Sequence, residues 1–182
     1  MIGYRWVLFI ALLVSFGLNA NAQTFKTENG QAEFLSKASL LEFTGESDQL
    51  QGLIDLDKNL LDFYLDLNTL KTGVGLRDRH MRDNYLETKK FPFAEFTGEI
   101  EEGTEIPVGQ TKNVTAKGKF KIHGVEREIV VPGTLKRNSA NEMVLDASFK
   151  VLLEDYDIEI PRVVFYELAE EQEVTIHATL RR

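Results

Sequence analysis

The chain has 182 residues, no cysteine and a formal net charge of −8. This length fits one domain with a sizeable core, and the absence of cysteine excludes stabilisation by disulfides. The acidic balance argues against a nucleic-acid surface and against an anionic-membrane surface, because both require a basic patch.

The first 22 residues have the pattern of a cleaved secretory signal peptide. Arg5 supplies a positive charge, residues 6–18 are almost all apolar, and Ala20-Asn21-Ala22 is a small-x-small cleavage site. The apolar run is shorter than the roughly 20 residues of a membrane-spanning helix. We therefore expect no stable membrane insertion. The expected product is one mature domain, residues 23–182, that starts at Gln23 and is periplasmic or secreted.

Most of the chain after residue 30 alternates apolar and polar residues with period two, which is typical of half-buried antiparallel strands. The clearest example is Leu61 to Leu67, where Asp62 and Asp66 alternate with apolar residues. Eight or nine such segments are separated by short turns such as Asn29-Gly30. The pattern predicts an all-β fold, and we favour a closed antiparallel barrel because closure removes exposed strand edges.

One stretch, Gly73 to Ile100, begins without strand alternation. Its segment at about residues 78–88 predicts one short helix, which must stop before Phe91-Pro92 because the residue before proline avoids the α region. The helix is therefore expected as an insertion between two strands.

Small residues recur beside large ones on the apolar strand faces, as at Gly52, Gly98, Gly118 and Gly133. In a barrel of about eight strands they either leave room for a small apolar ligand or let the large side chains fill the interior. Periodicity leaves both possibilities open. If the barrel is hollow, the ligand-contacting residues of the lumen are expected to be Phe43, Leu61, Phe63, Leu65, Phe96, Phe120, Ile122, Leu145, Phe149 and Ile176.

A charged cluster lies in the predicted helix: Arg77, Asp78, His80 and Arg82. At the mouth of a barrel these residues would hold an anionic head group, since arginine makes bidentate contacts with phosphate. The alternative is structural: Asp78 caps the helix, and the arginines are solvated or paired with Glu87.

The sequence gives little support for metal binding or catalysis. His80 and His123 have no partner at a metal-ligand spacing and there are no cysteines, so each is better explained as a buried, hydrogen-bonded residue that fixes a turn. We expect no metal and no cofactor. No serine neighbours a histidine, so the remaining enzymatic hypothesis is acid–base catalysis by His80 with Asp78 or Glu87.

Two blocks of the sequence resemble the signatures of a known family. The first is Arg77-Asp-Arg-His-Met81 followed by Asn84 to Thr88, Phe91-Pro92 and Phe96, and the second is Gly118 to Val125, which contains His123-Gly124. Both are similar to those of the YceI-like proteins, exported lipocalin-like barrels named for polyisoprenoid binding. The resemblance extends from about Phe25 to Leu180. It implies an eight-stranded lipocalin-like barrel with an inserted helix and a long lumen that receives an isoprenoid or similar chain.

Three functions follow as hypotheses. The first is a non-catalytic carrier that binds an isoprenoid or fatty amphiphile in its lumen and exists as a monomer or homodimer. The second is a stress-response or interaction module with a filled barrel, and the third is an enzyme that depends on His80.

Overall fold

The computed structural model describes residues 23–103, 105–160 and 168–182, and the predicted signal peptide lies outside this part of the chain. The described residues form eight strands. Their bounds are β1 (Thr24–Lys37), β2 (Glu42–Asp55), β3 (Leu60–Asp66), β4 (Phe93–Ile100), β5 (Thr111–Ile122), β6 (Val125–Arg137), β7 (Glu142–Leu152) and β8 (Glu171–Arg181).

The strands close into an antiparallel barrel in which each strand pairs with its neighbours in the sequence and β1 pairs with β8. This confirms the predicted eight-stranded barrel. Alternation sets the two faces of the wall: in β3, Leu61, Phe63 and Leu65 are buried, whereas Asp62 and Tyr64 are exposed. Apolar burial on one face of each strand therefore fixes the strand register.

One end of the barrel is closed by tightly packed side chains. Ile106, from the connection between β4 and β5, is buried there, and the Nη1 of Arg137 donates a hydrogen bond of 3.3 Å to its carbonyl oxygen. The largest fully buried apolar side chains near this end are Phe25, Ile54, Leu135, Met143 and Leu180.

The opposite end carries the inserted helical segment, between β3 and β4. Helix α1 (Gly75–His80) continues into a single π-helical turn, Met81–Tyr85. The predicted bounds of about 78–88 were therefore displaced towards the C-terminus by about one turn. The helix starts earlier because Asp78 does not cap it: its carboxylate accepts hydrogen bonds from the backbone N–H and hydroxyl of Thr72, before the helix.

The barrel wall is incompletely hydrogen-bonded between β6 and β7. These strands pair only from Gly133 to Arg137 and from Met143 to Ala147, so the halves nearer to α1 separate. Pro132, which has no backbone N–H to donate, lies where the pairing stops. Phe149 lies at this gap and borders both the barrel interior and an outer notch of about 300 Å³.

Candidate functional site

The interior of the barrel contains a cavity of about 600 Å³. Every strand contributes to its wall, and the cavity extends from the packed end to the helical segment. Pockets that bind small molecules have volumes of about 300 to 1,000 Å³, so the space is large enough for a ligand. Periodicity left open whether the barrel is hollow or filled by side chains. The structure shows a hollow barrel.

The cavity wall is apolar over most of its area. The residues towards the packed end, such as Leu50, Ile54, Ile100 and Val114, are all hydrophobic. The polar residues come from the half of the barrel that carries the helix. They are Glu33, Tyr64, Arg77, His80, Tyr85, Glu95 and Gln172. Of these, Glu33, Tyr64 and Glu95 lie on the outward phase of their strands and border the cavity only at its mouth. A bound molecule would therefore meet hydrocarbon along most of its length and polar groups at one end only.

All ten residues predicted to face a lumen line this cavity. Leu61, Phe63, Leu65 and Phe120 are buried, and the others are partly buried. They are brought together because each occupies the inward phase of its strand. Ligand contact by these residues remains a prediction.

The glycines of the inner face make room for aromatic rings. A Cβ atom on Gly52 would lie 2.3 Å from the Cδ1 of Phe63, so the ring of Phe63 occupies the space that a side chain would need. A Cβ atom on Gly118 would lie 3.0 Å from the Cζ of Phe96. The rings of Phe63 and Phe96 therefore take up space beside the wall that side chains at Gly52 and Gly118 would otherwise fill.

An aromatic cluster forms one side of the cavity. The ring of Phe120 makes edge contacts with the rings of Phe149 and Tyr156, each at a centroid distance of 5.5 Å. Such pairs add about 0.5 to 1.5 kcal/mol each beyond area burial. The cluster therefore fixes Phe120 on the wall, next to the gap between β6 and β7.

Arg77 lies on the cavity wall at the end of the barrel that carries α1. Its Nε and Nη2 donate hydrogen bonds to the hydroxyl and carbonyl oxygens of Thr72, at 2.9 and 3.1 Å, and its guanidinium lies 4.2 Å from the centre of the Phe43 ring. These contacts fix the side chain, and they leave it with further N–H donors. The predicted pairing of this arginine with Glu87 is not observed.

Asp78 and Arg82 do not line the cavity. Although partial burial by itself would raise the pKa of Asp78, the hydrogen bonds from Thr72 and the charges of Arg82 and Arg77 lower it. Asp78 is therefore ionised, and it anchors the segment before α1. Of the four residues predicted for the mouth, Arg77 and His80 line the cavity, whereas Asp78 and Arg82 do not.

His80 is exposed and borders the cavity, so the interpretation as a buried residue that fixes a turn is wrong for it. The acids that were suggested as its catalytic partners are bonded elsewhere: Asp78 to Thr72, and Glu87 to Lys90 and His123. No hydrogen bond joins His80 to either acid, so the suggested acid–base pair is not formed in this structure.

His123 fits the structural interpretation. It forms a two-residue turn with Gly124 between β5 and β6, and both residues have positive φ, 54° and 79°, as a type I′ hairpin requires. Its Nδ1 lies 3.0 Å from the carbonyl oxygen of Tyr156 and its Nε2 lies 3.2 Å from the carboxylate of Glu87. The hydrogen bond from Lys90 is the main cause that lowers the pKa of Glu87, and the hydrogen bond with His123 is the next largest. This corner ties the helical segment to the barrel.

Within residues 23–103, 105–160 and 168–182, no three His, Asp or Glu side chains come close enough to share a metal ion. The same residues include no helix with the length and apolar character needed to cross a membrane.

Sequence patterns missed the cavity residues that lie outside the strands. Leu41, Val74, Leu76, Ile158 and Leu168 all border the cavity. They belong to turns and to the helical segment, where no period-two alternation marks an inward face. The only available signal was that Val74 and Leu76 are large apolar residues in an otherwise polar loop.

The fold and cavity define a hollow, closed β-barrel with one packed end and one end bordered by a short helix. The model of the YceI-like domain family matches residues 23–181, so the chain belongs to this family. No curated protein sequence matches the chain.

Solved structures share the fold at low sequence identity. A polyisoprenoid binding domain from Saccharophagus degradans, implicated in plant cell wall breakdown, is similar with a TM-score of 0.77 and 20% identity, over 88% of this chain and 98% of that one. BcnA from Burkholderia cenocepacia is similar with a TM-score of 0.70 and 15% identity, over 84% of this chain and 96% of that one. The YceI protein of Campylobacter jejuni is similar with a TM-score of 0.60 and 18% identity, over 76% of this chain and 84% of that one.

Proposed function

We propose that this protein is a non-catalytic carrier that binds a long-chain amphiphile, a polyisoprenoid or a similar lipid, in the lumen of its barrel. One observation carries the proposal: the cavity of about 600 Å³ is apolar except at the end that carries the helix. That distribution matches a molecule with a long hydrocarbon part and one polar end.

Burial of hydrocarbon supplies the binding energy. Each CH₂ group removed from water contributes about 0.8 kcal/mol, and the costs of association and of ordering the chain are subtracted from the sum. The aromatic and aliphatic wall has no polar group near the packed end for a polar ligand to pair with. A polar ligand there would lose its hydrogen bonds to water without replacement, which excludes it energetically.

The polar end of the ligand is assigned to Arg77 and His80. Arg77 is held by Thr72 and by the Phe43 ring, so little conformational entropy is lost when it contacts a head group. Asp78 and Arg82 position this segment and do not contact the ligand. A phosphate or carboxylate head suits the arginine best, because charge-assisted hydrogen bonds are the strongest available there.

Family membership supports a binding role, and the polyisoprenoid binding domain from S. degradans shares the fold. The signal-peptide pattern of residues 1–22 supports export to the periplasm or secretion of residues 23–182. The filled-barrel hypothesis is not favoured because the interior is open. The catalytic hypothesis is not favoured because His80 makes no hydrogen bond to Asp78 or Glu87 in this structure.

Native mass spectrometry of the purified protein, before and after organic extraction, tests the proposal. We expect an additional mass that extraction removes, and the extract is expected to contain a lipid with one long hydrocarbon chain. Extracted protein should regain an additional mass when geranylgeraniol or solanesol is added. A protein that carries no lipid when purified and takes up none afterwards would contradict the proposed function.

A further inference from the structure

Four large apolar side chains are exposed around the end of the barrel that carries α1. Leu40 and Leu41 form the tip of the β1–β2 hairpin, and Val74 and Leu76 lie at the start of the helix. Their exposed fractions are 75%, 37%, 48% and 55%. We refer to these four residues as the apolar rim.

The two segments of the rim are held side by side. The guanidinium of Arg77, in α1, lies over the ring of Phe43, which follows the hairpin tip. The backbones of Glu46, in β2, and Lys71, before α1, exchange two hydrogen bonds of 2.9 Å. Three of the four rim residues also border the cavity, so the rim continues the apolar lining of the lumen onto the outer surface.

The sequence beside the rim is basic, although the protein as a whole is acidic. Residues 71–82 contain four basic side chains and one acid, namely Lys71, Arg77, Asp78, Arg79 and Arg82. Lys71 and Arg79 are exposed. The exposed Lys37 and the exposed acids Glu42, Glu46 and Asp83 lie close by as well. They reduce the excess of positive charge around the rim to about one, which favours weak, reversible attraction.

We propose that the apolar rim and its basic neighbours dock reversibly on the surface of an anionic lipid bilayer. An interfacial surface of this kind combines large apolar side chains with Lys or Arg, and a basic residue near an anionic leaflet contributes about 1 kcal/mol. A bilayer offers both partners at once: hydrocarbon for the rim and phosphate for the arginines. The inference concerns the outer surface and does not depend on what the lumen binds.

Co-flotation with vesicles tests the inference. The probe is a mixture of phosphatidylethanolamine and phosphatidylglycerol, with phosphatidylcholine vesicles for comparison. The unmodified protein should float with the anionic vesicles and be released by added salt. Leu76→Glu is expected to weaken this binding at least about tenfold, because it places a carboxylate where a leucine would enter the interface.

Two substitutions on the barrel wall serve as matched controls. Val130, in β6, is exposed by 57%, much like Leu76, so Val130→Glu adds the same charge away from the rim. Arg79→Glu should also weaken binding and flatten its salt dependence, whereas Lys136→Glu, in β6 near the packed end, should not. Equal effects of Leu76→Glu and Val130→Glu would overturn the inference. Failure of the unmodified protein to bind the anionic vesicles would also overturn the inference. The same holds if a soluble protein partner, and not lipid, occupies the rim.

Discussion

Leu180→Ala is expected to lower the free energy of unfolding by about 2 to 5 kcal/mol, and Leu145→Ala by about half as much or less. The two leucines lie on the paired strands β8 and β7, two positions apart in the ladder, so they share the same part of the sheet. Leu180 is completely buried and does not border the cavity, whereas Leu145 is partly exposed and borders it. Truncation of Leu180 creates a new void, and truncation of Leu145 only enlarges an existing one.

Urea unfolding of the lipid-free protein measures both values, with the unmodified protein as the reference. The substitutions remove the same atoms from the same residue type, so the difference between them reports the packing around each side chain. Equal losses at the two positions would mean that the interior is packed at Leu145 as well, and the barrel would then not be hollow there.

Phe120→Asp is expected to lower lipid retention at least about tenfold. Phe120 lines the cavity and packs against Phe149 and Tyr156. An aspartate at this position places an unpaired carboxylate beside the hydrocarbon of the ligand, and the cost of burying that charge exceeds the 1.4 kcal/mol that corresponds to a factor of ten. Retention is read as the lipid-bound fraction in native mass spectra.

Two further variants separate a lumen effect from a folding effect. Phe149→Asp introduces the same charge at a partly exposed position on the same wall, at a lower cost in stability. Val130→Asp introduces it on the outer face of β6 and should leave retention unchanged. A folded Phe120→Asp or Phe149→Asp protein with full retention would show that the ligand does not lie in the lumen.

The strand positions were predictable because alternation has one physical cause. In β3, a shift of one residue would expose Leu61, Phe63 and Leu65 together, so the sequence tolerates only one register. The same constraint placed all ten predicted residues on the inner face. The YceI-like signature blocks then indicated the topology and the inserted helix, whose bounds were displaced because Asp78 bonds to Thr72 instead of capping it.

Periodicity could not decide whether the barrel is hollow. A glycine opposite an aromatic residue produces the same pattern whether the ring points to the centre or lies flat on the wall. The ring of Phe63 lies against Gly52, an arrangement set by the neighbouring strand and not by local sequence. The volume at the centre of the barrel depends on the orientations of many such side chains together.

The end of the barrel that carries α1 was the least predictable part of the site. Leu41, Val74 and Leu76 are in turns and at a helix start, where no alternation marks their orientation. The overall charge of −8 argues against an anionic membrane, whereas the local concentration of basic side chains in residues 71–82 is the basis of the proposed docking. Local placement and not the total charge determines which surface a protein can meet.

The most direct test of the central claim is photo-crosslinking with two polyisoprenol probes. One carries a diazirine at the far end of its chain, and the other carries it next to the head group. Peptide mapping should place the chain-end probe on deep residues such as Leu50, Ile100 and Val114, and the head-group probe near Leu76 and His80. Crosslinks confined to outward-facing residues, or the same residues labelled by both probes, would contradict a ligand that lies along the lumen.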